Sequence, residues 1–165
     1  MIEIRPIQEG EGDAARSVIY TTAGQYFFPE LTGDSLFATL RVEWPLQDID
    51  EQPNRYSPPA GLFLVAVDEG RIIGTGAVRR YDEATAELKR LWLLPEYQGR
   101  KIGYRLMERL LEFSRQQGYQ RMILTTTRFQ ERAIAFYLRL GFKFIPMFKG
   151  ADDTDEDERA LGMDL

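Results

Sequence analysis

The chain contains no cysteine and no histidine. The first absence excludes disulfides, thiolate metal sites and a cysteine nucleophile. The second removes the commonest general base and the commonest metal ligand, so no metal cofactor is expected. Any catalysis must rest on carboxylates, tyrosine, lysine, hydroxyls or backbone groups. Long hydrophobic runs are missing too. Nothing approaches the roughly 18 consecutive apolar residues of a membrane span. The opening MIEIRPIQEG lacks a basic segment followed by an apolar one, so it does not read as a signal peptide. A cytoplasmic location with no membrane partner is the expectation. A positive net charge is also lacking. At −5 overall, the chain is a poor match for nucleic acid as its main partner. Much of the acid sits in DDTDEDE, residues 152–158, whose plainest reading is a solvated loop.

What is present is 165 residues, 44% of them hydrophobic, which suits one compact domain over 1–165 with its own core. IEIRPI (2–7) alternates apolar and polar residues and reads as an edge strand stopped by Pro6. Asp13 is placed to cap a helix with Ala14, Val18 and Ile19 on one face. A second short helix from Asp34 would bury Leu36, Phe37 and Leu40. PLQDIDEQPNRYSPP (45–59) reads as a loop long enough to suggest a binding role. GLFLVAV (61–67) and RIIGTGAVRR (71–80) form a hairpin across Asp68-Glu69-Gly70, and Ala84 to Leu94 is a third strand stopped by Pro95. Ile102, Leu106, Leu110 and Phe113 follow helical spacing, closed by Gly118. RMILTTT (121–127) is β-rich. Ala133, Phe136, Tyr137 and Leu140 follow helical spacing to Gly141, and short strands at 142–146 and 160–165 flank the acidic run. The pattern predicts a mixed α/β fold, a strand meander followed by β-α-β-α-β.

The stretch YQGRKIGYRLMERL (97–110) sets Gly99 and Gly103 among Arg100, Lys101 and Arg105 at the start of a helix. It is not a Walker loop, because only three residues separate the glycines and Tyr104 follows them. It is not a dinucleotide fingerprint either. What remains is a helix N-terminus, whose free N–H groups and dipole can cradle a phosphate. A plain surface helix start with solvated basic residues fits the residues equally well.

ELKRLWLLPEYQGRKIGYRLMERLLEFSRQQGYQRMIL, followed by AIAFYLRLGFKFI, resembles the GNAT superfamily of acetyl-CoA-dependent N-acyltransferases. Gln98-Gly99-Arg100-Lys101-Ile102-Gly103 lies over that family's pyrophosphate-loop pattern, Arg/Gln-x-x-Gly-x-Gly/Ala. Ala133 through Phe142 resembles the later CoA-side motif. The resemblance covers about residues 61–165. It implies a mixed sheet flanked by helices, a CoA-binding core over 61–148 and an acceptor-side part over 1–60. One departure stands out: Lys101 occupies the place of the family's first loop glycine. If that position needs φ > 0, lysine costs about 1 kcal/mol there, while its ammonium can add charge to the cradle.

The resemblance further implies roles for single residues. Gln98 to Gly103, with Tyr104, would hold the CoA diphosphate. Leu91, Trp92 and Leu93 would pair through their main chain with the pantetheine amides, as an added strand pairs with a sheet edge. Gln130 and Ala133 would lie beside the cofactor, and Arg139 would meet a CoA phosphate or stay solvated. Tyr137 would protonate the leaving thiolate, a phenol being fully protonated at neutral pH; on helical spacing alone a core tyrosine is the better reading. Glu87, six residues before Leu93, would be the base that deprotonates the amine, or else a surface glutamate paired with Lys89 or Arg90. The Leu93 N–H is the candidate for the oxyanion. Without cysteine, direct attack in a ternary complex is favoured over a cysteine-bound acyl-enzyme. The acceptor would be a primary amine, and the acidic run would attract a cationic one. Members of this family often pair as homodimers. A CoA-binding sensor or assembly module that has lost transfer is the alternative.

Overall fold

The computed structural model describes residues 1–151 and 156–165. Its strands are β1 (Ile2–Pro6), β2 (Leu62–Asp68), β3 (Arg71–Arg80), β4 (Thr85–Leu93), β5 (Arg121–Thr127), β6 (Lys143–Ile145) and β7 (Glu158–Asp164). They form a mixed sheet in the order β1-β2-β3-β4-β5-β7-β6, with β4 and β5 the parallel pair. The helices are α1 (Gly12–Phe27), α2 (Gly33–Glu43), α3 (Gln47–Asp50), α4 (Gln52–Arg55), α5 (Ile102–Gln116) and α6 (Glu131–Leu140).

The apolar runs of β2 and β3 are buried on both faces, since α5 packs on one side and α1 lies across β3 and β4. Gly76 shows how tight this layering is. A Cβ there would come within 3.1 Å of both Leu110 of α5 and Leu91 of β4. The hairpin between β2 and β3 turns on Glu69 and Gly70, both at positive φ, which matches the twist of the strands it joins.

The sheet is interrupted where β4 meets its neighbours. Against β3, Thr75 faces Trp92 while Ala77 faces Lys89, so Gly76 opposes two residues, Arg90 and Leu91. This is a β-bulge, and Arg90 takes φ +57 to make it. Against β5, β4 pairs only through Thr85, Ala86 and Glu87. Past that point the two parallel strands separate, leaving the β5-facing edge of Leu91–Leu93 unpaired. Leu91–Leu93, beyond the paired part of β4, line a cleft.

Three details differ from the sequence reading. Glu11 rather than Asp13 stands at the N-cap position of α1, held by Arg5 at 2.7 Å; Asp13 pairs with Arg16 instead. Ala14 is exposed and Ala15 is buried, a one-residue shift of the apolar face. The 45–59 segment is not a plain loop, because it folds into α3 and α4 and sends Ile49 and Tyr56 into the core.

Candidate active site

The cleft has a volume of about 710 Å³ and lies between β4, the turn after it, the start of α5 and one face of α6. Its floor is Leu91, Trp92 and Leu93. The Leu94 N–H donates to the Ile73 carbonyl of β3 at 3.0 Å. In an antiparallel ladder the next residue points the other way, so the N–H and C=O of Leu93 turn from β3 toward the cleft. The Leu93 carbonyl accepts from Gln98 Nε2 at 3.2 Å and from Thr22 Oγ1 of α1 at 3.4 Å.

At one end of the cleft lies the glycine loop. From Gly99 to Tyr104 no backbone N–H has a hydrogen-bond partner among the described residues. Free amides at a helix start are groups that can hold an anion. Gly99 sits at φ +80 and Lys101 at φ +63, so the loop turns through the left-handed region twice. Lysine therefore stands where glycine is unstrained. Lys101 lines the cleft, as do Gln98, Gly99, Ile102, Gly103 and Tyr104. Arg100 does not: its guanidinium stacks over Tyr97, 5.0 Å from the ring centre. The cation near the loop is instead Arg132, whose Nη1 is 3.3 Å from Gln98 Oε1 and whose Nη2 lies 3.7 Å from where a Gly99 Cβ would be.

The opposite wall is α6. Arg132, Phe136 and Arg139 follow i, i+4, i+7 spacing, and Ala133 and Tyr137 form the neighbouring row. Gly141 at φ +107 closes the helix, with the Phe142 N–H returning to the Tyr137 carbonyl. Tyr137 is 7% exposed, packed between the rings of Phe136 and Phe142. Its hydroxyl has no hydrogen-bond partner among the described residues, and burial pushes its pKa up. The phenol therefore keeps its proton at any physiological pH and faces the cleft with that proton uncommitted. Gln130, just before α6, accepts from Thr126 Oγ1 and from Thr127 N–H and Oγ1 through its carbonyl oxygen. Its amide NH₂ has no hydrogen-bond partner among the described residues, and Gln130 lines the cleft.

Glu87 is the sequence-predicted residue that the fold treats most differently. It is buried, outside the cleft lining, and its Oε1 accepts from Arg79 Nε and Nη2, both at 3.0 Å. Its partner is Arg79, not Lys89 or Arg90, and it is not a surface residue. Arg90 is taken by Asp48 of α3, which it grips with two hydrogen bonds of 2.8 and 2.9 Å. Sequence reasoning also missed Thr22, Tyr26, Leu106, Arg132 and Phe136 as lining residues. The α6 pair could have been found from its spacing with Arg139. Thr22 and Tyr26 lie some 70 residues from β4 and carry no local signal.

The sequence matches the Acetyltransferase (GNAT) family over residues 28–142. The chain belongs to this family. It is 35% identical over 108 residues to an uncharacterized N-acetyltransferase of Schizosaccharomyces pombe, covering 62% of this chain and 66% of that one. It is 32% identical over 101 residues to an uncharacterized N-acetyltransferase of Escherichia coli, covering 59% and 60%. The aligned region thus spans less than two thirds of either relative. Among solved structures, the PaiA N-acetyltransferase of Thermoplasma acidophilum in complex with coenzyme A superposes with a TM-score of 0.76. The identity is 24%, and the match covers 100% of this chain and 99% of that one. The splayed β4–β5 pair and the glycine loop at the head of α5 both lie within the matched residues. No described helix is long and apolar enough to cross a membrane.

Proposed function

We propose that the protein transfers an acetyl group from acetyl-CoA to a primary amine. The observation that carries this reading is the cleft itself. A cradle of six unpaired amides ends in an unpaired strand edge, with a protonated, unbonded phenol on the facing helix. Its separate parts meet the needs of one elongated ligand with a phosphate at one end and a thioester at the other. The relative of the same fold bound to coenzyme A supports the same donor.

In this reading the diphosphate lies on the Gly99–Tyr104 amides, with Lys101 and Arg132 adding positive charge and Arg139 available to a further phosphate. Gln130 offers its NH₂ to the cofactor, and Ala133 leaves room for it beside α6. The pantetheine amides pair with the open edge of Leu91–Leu93 in the manner of an added strand. The thioester carbonyl then meets the Leu93 N–H, which stabilises the oxyanion as the amine attacks. The C–S bond of the tetrahedral intermediate breaks, and Tyr137 gives its proton to the departing thiolate. Glu87, buried outside the cleft lining with its carboxylate held by Arg79, is in this reading the base, acting through water.

Release of CoA thiol is the natural assay, because the protein has no thiol of its own. Tyr137→Phe is expected to lower turnover about tenfold or more while leaving acetyl-CoA affinity near wild type. Unchanged turnover would remove the phenol from the mechanism.

A further inference from the structure

β4 carries an unusual row of charges on the face opposite α5. Val78 and Leu88 form one cross-strand pair, and Arg79 and Glu87 form the next, so Glu87 and Lys89 point away from the Leu88 side. On this face lie Arg79, Glu87 and Lys89. Above them, from α3 and the segment after α4, come Asp48 and Tyr56, and Arg90 reaches to them from the bulge.

Both carboxylates in this row are already committed. Glu87 accepts twice from Arg79. Asp48 accepts twice from Arg90 and once from the Tyr56 hydroxyl at 2.6 Å. Lys89, by contrast, has no ion pair or hydrogen bond among the described residues. Glu87 and Asp48 act on it only through space, and burial lowers its pKa, with Arg90 and Arg79 pushing the same way. Three cations thus face two anions, and the unpaired cation is half-buried. Such a charge costs stability unless something arrives to neutralise it.

The position of Lys89 says what could arrive. Across β3, Lys89 faces Ala77 and Trp92 faces Thr75, so both side chains stand on one face about 7 Å apart. Trp92 lines the cleft where the thioester lies in the proposed reaction. We propose that the amine acceptor also carries an anionic group, a carboxylate in the simplest case, and that Lys89 receives it. An α- or β-amino acid has the required reach. This rests on the acetyl-transfer reading and gives it a substrate class. It also reverses the expectation of a cationic acceptor drawn from the acidic run, of which Asp152, Asp153, Thr154 and Asp155 lie outside the described residues.

The test compares amino acids with their carboxamides, which keep the amine and lose the anion. Wild-type kcat/KM is expected to favour the amino acids by about tenfold or more, the worth of one charge-assisted hydrogen bond. Lys89→Met should abolish that preference, Lys89→Arg should keep most of it, and acetyl-CoA affinity should be unchanged in both. Because it removes an unpaired half-buried charge, Lys89→Met should also raise the melting temperature. Carboxamides acetylated as well as amino acids, or a preference that survives in Lys89→Met, would overturn the proposal. A readout that needs no turnover separates it from the reaction itself: calorimetric binding of N-acetyl amino acids and their amides to the CoA-loaded protein. If no amine is acetylated but the anionic forms still bind more tightly and only when Lys89 is present, the anion site stands and the transfer reading fails. Equal binding of the two forms overturns the anion site.

Discussion

At the scale of single residues, Lys101 joins backbone conformation to charge. It occupies the left-handed region at the N-cap of α5, where a residue with a Cβ costs about 1 kcal/mol relative to glycine. Lys101→Gly is therefore expected to stabilise the fold by up to about 1 kcal/mol in denaturant unfolding. It should not improve acetyl-CoA binding, since the amide is kept and a positive charge is lost. An affinity gain of about tenfold or more would mean that the side chain obstructs the diphosphate. The need for φ > 0 was open in the sequence, because glycine at that place in the resembling family signals it. Arg100 and Lys101 look interchangeable in sequence. Only the fold shows one stacked on Tyr97 and the other lining the cleft.

At the scale of elements, the bulge in β4 lies just past the residues that pair with β5, and a short helix from far upstream holds it. Arg90 at φ +57 is fixed by Asp48 of α3, by Trp44, whose ring centre lies 5.6 Å from the guanidinium carbon, and by the Thr75 hydroxyl, which donates to the Arg90 carbonyl at 2.6 Å. Burial alone would raise the Asp48 pKa, but the Arg90 hydrogen bonds and charge and the Tyr56 hydroxyl outweigh it and hold the carboxyl below its usual range. Removing one partner of a buried pair strands the other, so Asp48→Asn should cost about 3 kcal/mol. A folded-state pKa below the ordinary 3.8 means that this contribution is complete above that pH and is lost as pH falls through the folded value. Unfolding free energy measured through the acid range should therefore fall less steeply in Asp48→Asn than in wild type. A loss well under 1 kcal/mol, or an unchanged acid slope, would mean that the Asp48–Arg90 pair is not what holds the bulge. None of this was legible beforehand. The strands and the two amphipathic helices announced themselves through periodicity, whereas α3 and α4 are single turns inside a proline-rich stretch. Pairing between Asp48 and Arg90 spans 42 residues and leaves no pattern in either neighbourhood.

At the scale of the whole molecule, the cleft draws on α1, β4, the turn after it, α5 and α6, and its floor, Leu91–Leu93, lies beyond the part of β4 that pairs with β5. The α6 and loop contributions were legible because they are contiguous motifs, and the α1 contribution was not, because it comes from packing. Calorimetric titration of acetyl-CoA into the purified protein, alongside dephospho-CoA, asks what the assembled cleft holds. Micromolar or tighter binding is expected, weaker when the 3′-phosphate is absent and weaker again when Arg139 is replaced by glutamine. No heat, with no competition by CoA, would contradict it and leave a GNAT fold whose cleft serves some other ligand.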